Sequence, residues 1–371
     1  MSAVVLDHDG LAKAVRLCLG DPGAKIIAVE SLTLPVGFSE ADGAGLGMQR
    51  LKGRAAVVGA EVDFAIVVKT LGMTGQDSDY PRMWNYWKRE PLAYSSGILE
   101  QLPDGLRAPV CYGVSDGGDR ATIFMEELPG NDAVWGLAEY EAAARELGRF
   151  NGAYLAGLAV PEADWLLPGR TANWLDLAAP VVATLPGQMG RAVTQSWLGE
   201  GRLARTLALW HRRGELQALR AGRPRCLCHH DAHRRNLMLT EGGLVGVDWS
   251  MIGPGVVGEE LMALIGVALQ FGDVPMAQAQ ALEAAVLRGY HAGLCAAGAQ
   301  VSIAEVRLGY AASTCLVLGL GVFGVWGADA GEEHYREMVE QILGAPMAAI
   351  GVRFGRLQDF VLRLGEEVLA G

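Results

Sequence analysis

The chain has 371 residues, 51% hydrophobic and 20% charged, which gives length for two or three domain-sized cores and excludes a disordered polymer. Its 50 glycines and 15 prolines stay below the ~25–30% of low-complexity chains, and no three-residue period makes them collagen-like. Forty-two acidic against 31 basic residues give a formal charge of −11 with no long basic run, which argues against nucleic acid as main partner and suits, without requiring, a cationic small molecule.

In chain order, residues 24–128 alternate short β-branched runs with glycine turns. Strands are expected over 26–34, 54–58, 64–68, 110–114 and 121–125, with one amphipathic helix over about 82–102. Pro129-Gly130 signals a turn, after which helical spacing dominates: Leu147, Phe150, Tyr154, Leu155 and Leu158, then stretches over about 189–220, 257–272, 277–298 and 303–325. Residues 226–248 interrupt the helices with two brief apolar segments. The pattern predicts an α+β chain with a small sheet-rich lobe, 1–128, and a larger helical lobe, 129–371. The uncharged stretch 311–328 is at the short end for a membrane span and reads as a buried helix whose glycines permit close packing. Six scattered cysteines make no Cys-x-x-Cys pair, and no basic segment followed by an apolar core opens the chain; a soluble, cytoplasmic monomer or homodimer without membrane association is expected.

The densest chemistry lies in Cys228-His229-His230-Asp231-Ala232-His233-Arg234-Arg235-Asn236. His-x-Asp-x-x-x-x-Asn is the spacing of a kinase catalytic loop. Asp231 can accept a hydroxyl proton, and Asn236 offers a carbonyl oxygen to a hard cation. Residues 244–247 read as a short strand delivering Asp248 beside Asn236 across a hairpin, where the two can share metal ions that bridge phosphates. Cys226, Cys228, His229, His230 and His233 also suggest a zinc cluster, but the cysteines fall in an expected strand and no second pair completes finger spacing. Arg234-Arg235 either neutralises charge where the γ-phosphate travels or is a surface pair.

His229-x-Asp231 through Asn236, followed by Val247-Asp248-Trp249, resembles the aminoglycoside phosphotransferase and choline kinase group of protein-kinase-like small-molecule kinases, over about residues 28–262. Two departures stand out: His230 replaces the usual glycine, and Ser250 replaces an acidic residue. The group's later acidic motif is echoed by Glu259-Glu260-Leu261. The resemblance implies a bilobal kinase fold with ATP and Mg2+ in the cleft. It makes Asp231 the catalytic base, Asn236 and Asp248 the metal ligands, and His229 a brace for the loop, with His233 near the metal aspartate or substrate and Arg235 a substrate contact or loop support. Strand alternation then sets Lys69 at the end of an apolar strand, where a phosphate clamp is its reading, with Glu90 as partner although Pro91 is awkward in a helix. The glycine-rich segment around Ser39 and Gly45 covers the phosphates or is a plain hairpin, and the junction from Glu126 to Leu128 pairs with adenine. The expected function is transfer of the γ-phosphate to a hydroxyl of a small molecule, aminoglycoside-like first, with a choline-, ethanolamine- or sugar-type kinase and a silent binding protein as alternatives. The chain lacks Asp-Phe-Gly and Ala-Pro-Glu, which argues against a protein kinase.

Overall fold

The computed structural model of the chain describes residues 7–34, 45–74, 76–130, 134–322 and 333–371. Helix α1 (His8–Leu19), which no sequence signal above announced, starts where the Asp7 side chain accepts the Gly10 N–H at 2.9 Å and stops at left-handed Gly20. Strands β1 (Lys25–Leu34), β2 (Gly45–Val57) and β3 (Ala60–Gly72) form an antiparallel meander. The strand expected over 54–58 is therefore only the end of β2. Leu11, Ala14 and Val15 of α1 bury against Leu51, Phe64, Ile66 and Val68 of this sheet.

The helix expected over 82–102 shrinks to α2 (Arg89–Ser95). The Arg89 guanidinium donates to the carbonyls of Pro81, Met83 and Trp84, groups that a continuous helix would turn toward N–H donors four residues on. Because α2 starts at Arg89, Pro91 falls in its first turn, where backbone N–H groups have no intrahelical acceptor and a proline costs little.

The chain next enters the larger lobe. Left-handed Gly105 lies so close to the helix α3 (Leu137–Leu155) that a Cβ there would meet the Glu146 carbonyl. Strand β4 (Leu106–Arg107) follows, and β5 (Cys111–Asp116) and β6 (Arg120–Glu126) complete the first sheet in the order β1-β2-β3-β6-β5. Helix α4 (Arg170–Val182) follows α3. The stretch expected as one helix over 189–220 is four pieces: α5 (Leu185–Gln188), α6 (Ala192–Trp197), α7 (Gly199–His211) and α8 (Arg213–Ala221), with left-handed Gly199 marking one break.

Two small sheets then appear. Strand β7 (Arg225–Cys228) pairs with β10 (Gly253–Val256). The hairpin of β8 (Leu237–Thr240) and β9 (Gly243–Gly246) takes β4 as a parallel neighbour. The buried α9 (Leu261–Phe271) and α10 (Ala279–Ala296) follow, then α11 (Ile303–Thr314), which runs on as a wider turn over Cys315–Val322. Helices α12 (Glu333–Leu343) and α13 (Met347–Ala370) end the chain. Ile303–Leu320 is long and apolar enough to cross a membrane by length and composition, and 72% of it is buried inside the fold. Cys315, Leu316, Val317, Leu318 and Leu320 are core residues, while residues 323–328 of the expected core helix lie outside the described residues. The result is an α+β bilobal, kinase-like fold.

Candidate active site

The β8–β9 hairpin brings two functional side chains together. Val247 N–H donates to the Asn236 carbonyl at 2.9 Å, so Asn236 stands beside Asp248, the second residue past β9. Asp248 takes a left-handed conformation, φ 63°, that turns the chain into the short helix Trp249–Met251. Trp249 is fully buried and its Nε1 donates to the Gly246 carbonyl at 2.8 Å, fixing that turn.

From the smaller lobe, Lys69 projects from within β3, which runs on to Gly72 instead of ending beside the lysine as expected, and its Nζ lies 2.6 Å from Glu90 Oε2 and 3.1 Å from Asp248 Oδ1. The sequence-expected Lys69–Glu90 pair is thus formed, across β3 and α2, and Asp248 joins it. Burial works against the Lys69 ammonium, yet the Asp248 and Glu90 carboxylates outweigh it and hold the lysine pKa above its usual value. Burial raises the Glu90 carboxyl, with Lys69 opposing, whereas the Lys69 charge overcomes burial at Asp248 and lowers it.

The loop 229–236 is braced from several sides. His229 donates through Nε2 to the Val247 carbonyl at 3.0 Å and accepts the Asp231 N–H at Nδ1, a tautomer assigned from those partners. Glu260 accepts the N–H groups of His229 and His230 at 2.8 and 3.0 Å, and burial pushes its carboxyl up to about 7 against those two bonds. Asp231 Oδ2 accepts from Asn236 Nδ2 at 2.9 Å and lies 3.4 Å from His233 Nε2. Burial disfavours the Asp231 carboxylate, but His233, Arg170 and His229 hold it well below the usual range, so it is ionised and able to accept a proton. Its side chain stays 22% exposed, open enough for a hydroxyl to reach.

Of the two readings of Arg235, substrate contact or loop support, its contacts fit the second: it binds Asp273 at 2.7 and 3.0 Å and its guanidinium lies over the Phe271 ring, so it pins the loop to the end of α9. Two expectations change. Glu126 already donates its N–H to the Val110 carbonyl, and its carboxylate binds Arg107 at 2.8 and 3.2 Å. The Glu126 N–H is therefore not open to a ligand. Gly45 is not in a loop but opens β2, paired with Leu71, and Ser39 lies outside the described residues. As for zinc, Cys226 and Cys228 are buried with Sγ atoms 3.7 Å apart, and among the described residues no three His, Cys, Asp or Glu side chains group to hold a metal.

Sequence reasoning missed Arg89, which lies beside Glu90 but gave no signal of its own, and Arg170, 61 positions before Asp231. It noticed Glu259 and Glu260 only as an echo of a motif. Glu259 pairs with Arg220 and faces the buried His230 ring, which burial pushes down to about 4.

A profile described as the phosphotransferase enzyme family, APH, matches residues 96–298, more than half of the chain. The chain belongs to the phosphotransferase enzyme family. The match starts later than the resemblance read from the sequence and runs further, through α10. By family, this phosphotransferase is a small-molecule kinase. Among solved structures, the Plasmodium vivax ethanolamine kinase is 14% identical, with a TM-score of 0.50 over 92% of this chain and 89% of that one, a likeness of fold. An amicoumacin kinase solved with AMP-PNP and Ca2+ is 13% identical over 92% of this chain and 95% of that one, TM-score 0.49. A spectinomycin phosphotransferase solved with ADP and spectinomycin is 13% identical over 96% and 100%, TM-score 0.45. No curated protein sequence matches the phosphotransferase.

Proposed function

We propose that this phosphotransferase moves the γ-phosphoryl group of ATP to a hydroxyl of a small molecule, with Asp231 as catalytic base. The observation that carries the reading is the pairing of two clusters from different lobes: Lys69 with Glu90 and Asp248, and Asp231 with Asn236. Lys69, held charged by two carboxylates, is the group to meet the α- and β-phosphates. Asp231 receives the hydroxyl proton as the acceptor oxygen attacks.

Asn236 and Asp248 offer one amide and one carboxylate as hard oxygen donors, and among the described residues no three His, Cys, Asp or Glu side chains group to form an all-protein cage. That donor set fits Mg2+, which keeps water and phosphate oxygens in its shell and seldom takes an all-protein cage. Bound there, Mg2+ would neutralise charge on the phosphates.

For the acceptor, the loop resemblance favours an aminoglycoside-like or other antibiotic-like alcohol. An amino alcohol of the ethanolamine type is the second reading, favoured by the neighbour of that name. A silent binding protein has no use for all four of Lys69, Asp231, Asn236 and Asp248. The test is ADP release over a panel of aminoglycosides, amino alcohols, nucleosides and sugars, with Asp231→Ala as control. An acceptor-dependent signal that the variant loses by at least about 100-fold is expected. Absence of Mg-ATP binding by calorimetry would sink the proposal.

A further inference from the structure

We infer that Arg170, at the start of α4, is the positioning residue of the Asp231 carboxylate, an inference that rests on the kinase reading above. The Arg170 side chain is 9% exposed and comes from outside the catalytic loop. One terminal nitrogen donates to the His230 carbonyl, and the other stands 3.7 Å from Asp231 Oδ1. The opposite carboxylate oxygen, Oδ2, is held from within the loop by Asn236 at 2.9 Å. The carboxylate is therefore gripped on both sides, by different means. At 3.7 Å the guanidinium attracts Oδ1 without forming a hydrogen bond to it, which leaves that oxygen a lone pair for an incoming hydroxyl proton. A direct hydrogen bond would compete with that proton.

The backbone is bent to make this contact. His230 is one of two non-glycine residues with positive φ among the described residues, at 65°. Its ring is buried toward Glu259 while its carbonyl is the one Arg170 takes. The next residue of α4 repeats the grip: Thr171 Oγ1 reaches Glu259 Oε1 at 3.5 Å.

The same helix is anchored at its other contact. Asn173 and Trp174, three and four residues after Arg170, share its face of α4. Asn173 accepts the Trp84 N–H at 3.0 Å and donates to the Arg82 carbonyl at 2.6 Å, and Trp174 stacks on Trp84 with ring centroids 5.6 Å apart. The segment so held leads directly into α2 and Glu90. Helix α4 thus fixes the base relative to the lysine clamp, and Arg170 is its point of contact with the base.

The experiment compares the full-length wild type with Arg170→Met and Arg170→Lys. It reads steady-state kinetics with the acceptor found by the panel, Mg-ADP binding by calorimetry, and thermal melts. Misplacing a reacting group by about 1 Å costs about 100-fold in rate, so Arg170→Met should lose about that factor in kcat while both KM values and the Mg-ADP affinity stay within about threefold. Arg170→Lys, which keeps the charge at shorter reach, should recover about tenfold of the loss. A rise in acceptor KM with kcat kept would overturn the inference by making Arg170 a substrate ligand, as would an unchanged kcat. A lysine variant no better than methionine, both folded, would overturn it too. If Arg170→Met does not fold, Arg170→Lys decides alone: a kcat loss of about tenfold at constant KM supports the inference, and wild-type kcat refutes it. A wild type that binds no Mg-ADP overturns the kinase reading itself and this inference with it, whereas an active wild type with indifferent variants removes only the inference.

Discussion

Replacing Arg89 by methionine should be among the most damaging single changes in the smaller lobe. The guanidinium is fully buried and donates to five carbonyls: Pro81, Met83 and Trp84 in the preceding segment, Trp165 before α4, and Ser250 just after Asp248. Burial pushes its pKa down to about 10, which leaves it protonated at neutral pH. All five carbonyls belong to partly exposed residues; Pro81, Met83 and Trp84 lie within eight positions of Arg89, so only Trp165 and Ser250, which it ties from distant parts of the chain, enter the sum. Two lost bonds to a charged donor, at about 1.5–3 kcal/mol each, give about 3–6 kcal/mol. That is a large part of a total stability of about 5–15 kcal/mol. Arg89→Lys should lose at least half as much, since three ammonium protons cannot serve five acceptors. Urea unfolding followed by tryptophan fluorescence measures this directly, because Trp84, Trp87 and Trp249 all lie nearby in the fold. A methionine variant within about 1 kcal/mol of the parent, at an unchanged denaturant slope, would refute the reasoning.

Lys69→Met leaves Glu90 and Asp248 facing each other without a cation; kcat/KM for ATP in the ADP-release assay should fall by about 100- to 1,000-fold, and a change under about threefold would exclude Lys69 from the phosphate site. Gly293→Ala should cost about 1–3 kcal/mol in urea melts, because a Cβ there would collide with the Arg145 carbonyl of α3; an unchanged midpoint would show that the two helices part freely. Two buried groups give opposite pH dependences. His230, pushed down to about 4, makes the fold gain stability as pH rises from there to its ordinary value near 6.5, because the unfolded chain binds the extra proton. Glu260, pushed up to about 7, makes the fold lose stability as pH rises from the ordinary carboxylate range to that value. Denaturation at fixed pH should therefore show a steeper gain between about pH 5 and about pH 6.5 in Glu260→Gln than in the parent, and a net loss in His230→Gly. Parallel profiles for all three proteins would contradict both assignments.

The parts of the site that lie close together in sequence were legible in it. Asp231, Asn236 and Asp248 are carried by one loop and hairpin, so residue type and spacing alone define their neighbourhood. Lys69 was readable because a charged residue directly after an apolar run demands a partner, even though β3 continues past it to Gly72. Glu90 was harder, since Pro91 spoke against a helix until α2 proved to begin at Arg89. What remained hidden depends on long-range contact. Arg170 is an ordinary arginine after a glycine, and nothing local shows that its helix starts beside the His230 carbonyl. Arg235 stayed open between a phosphate contact, a surface pair and loop support because Asp273, its partner, stands 38 residues away. Glu126 looked available because its pairing with Arg107 and Val110 belongs to the sheet and cannot be read along the strand.

Strand β4 is only two residues long, yet it ties the two lobes together. Leu106 and Arg107 pair in parallel with Leu244 and Val245, the strand that delivers Asp248, and the Arg107 guanidinium reaches back to Glu126 at the end of β6. One residue therefore touches both the interlobe junction and the catalytic hairpin. Arg107 is a fulcrum: an opening of the cleft that keeps these bonds must swing the far edge of the five-stranded sheet through the larger arc, with β1 travelling most and the end of β6 least.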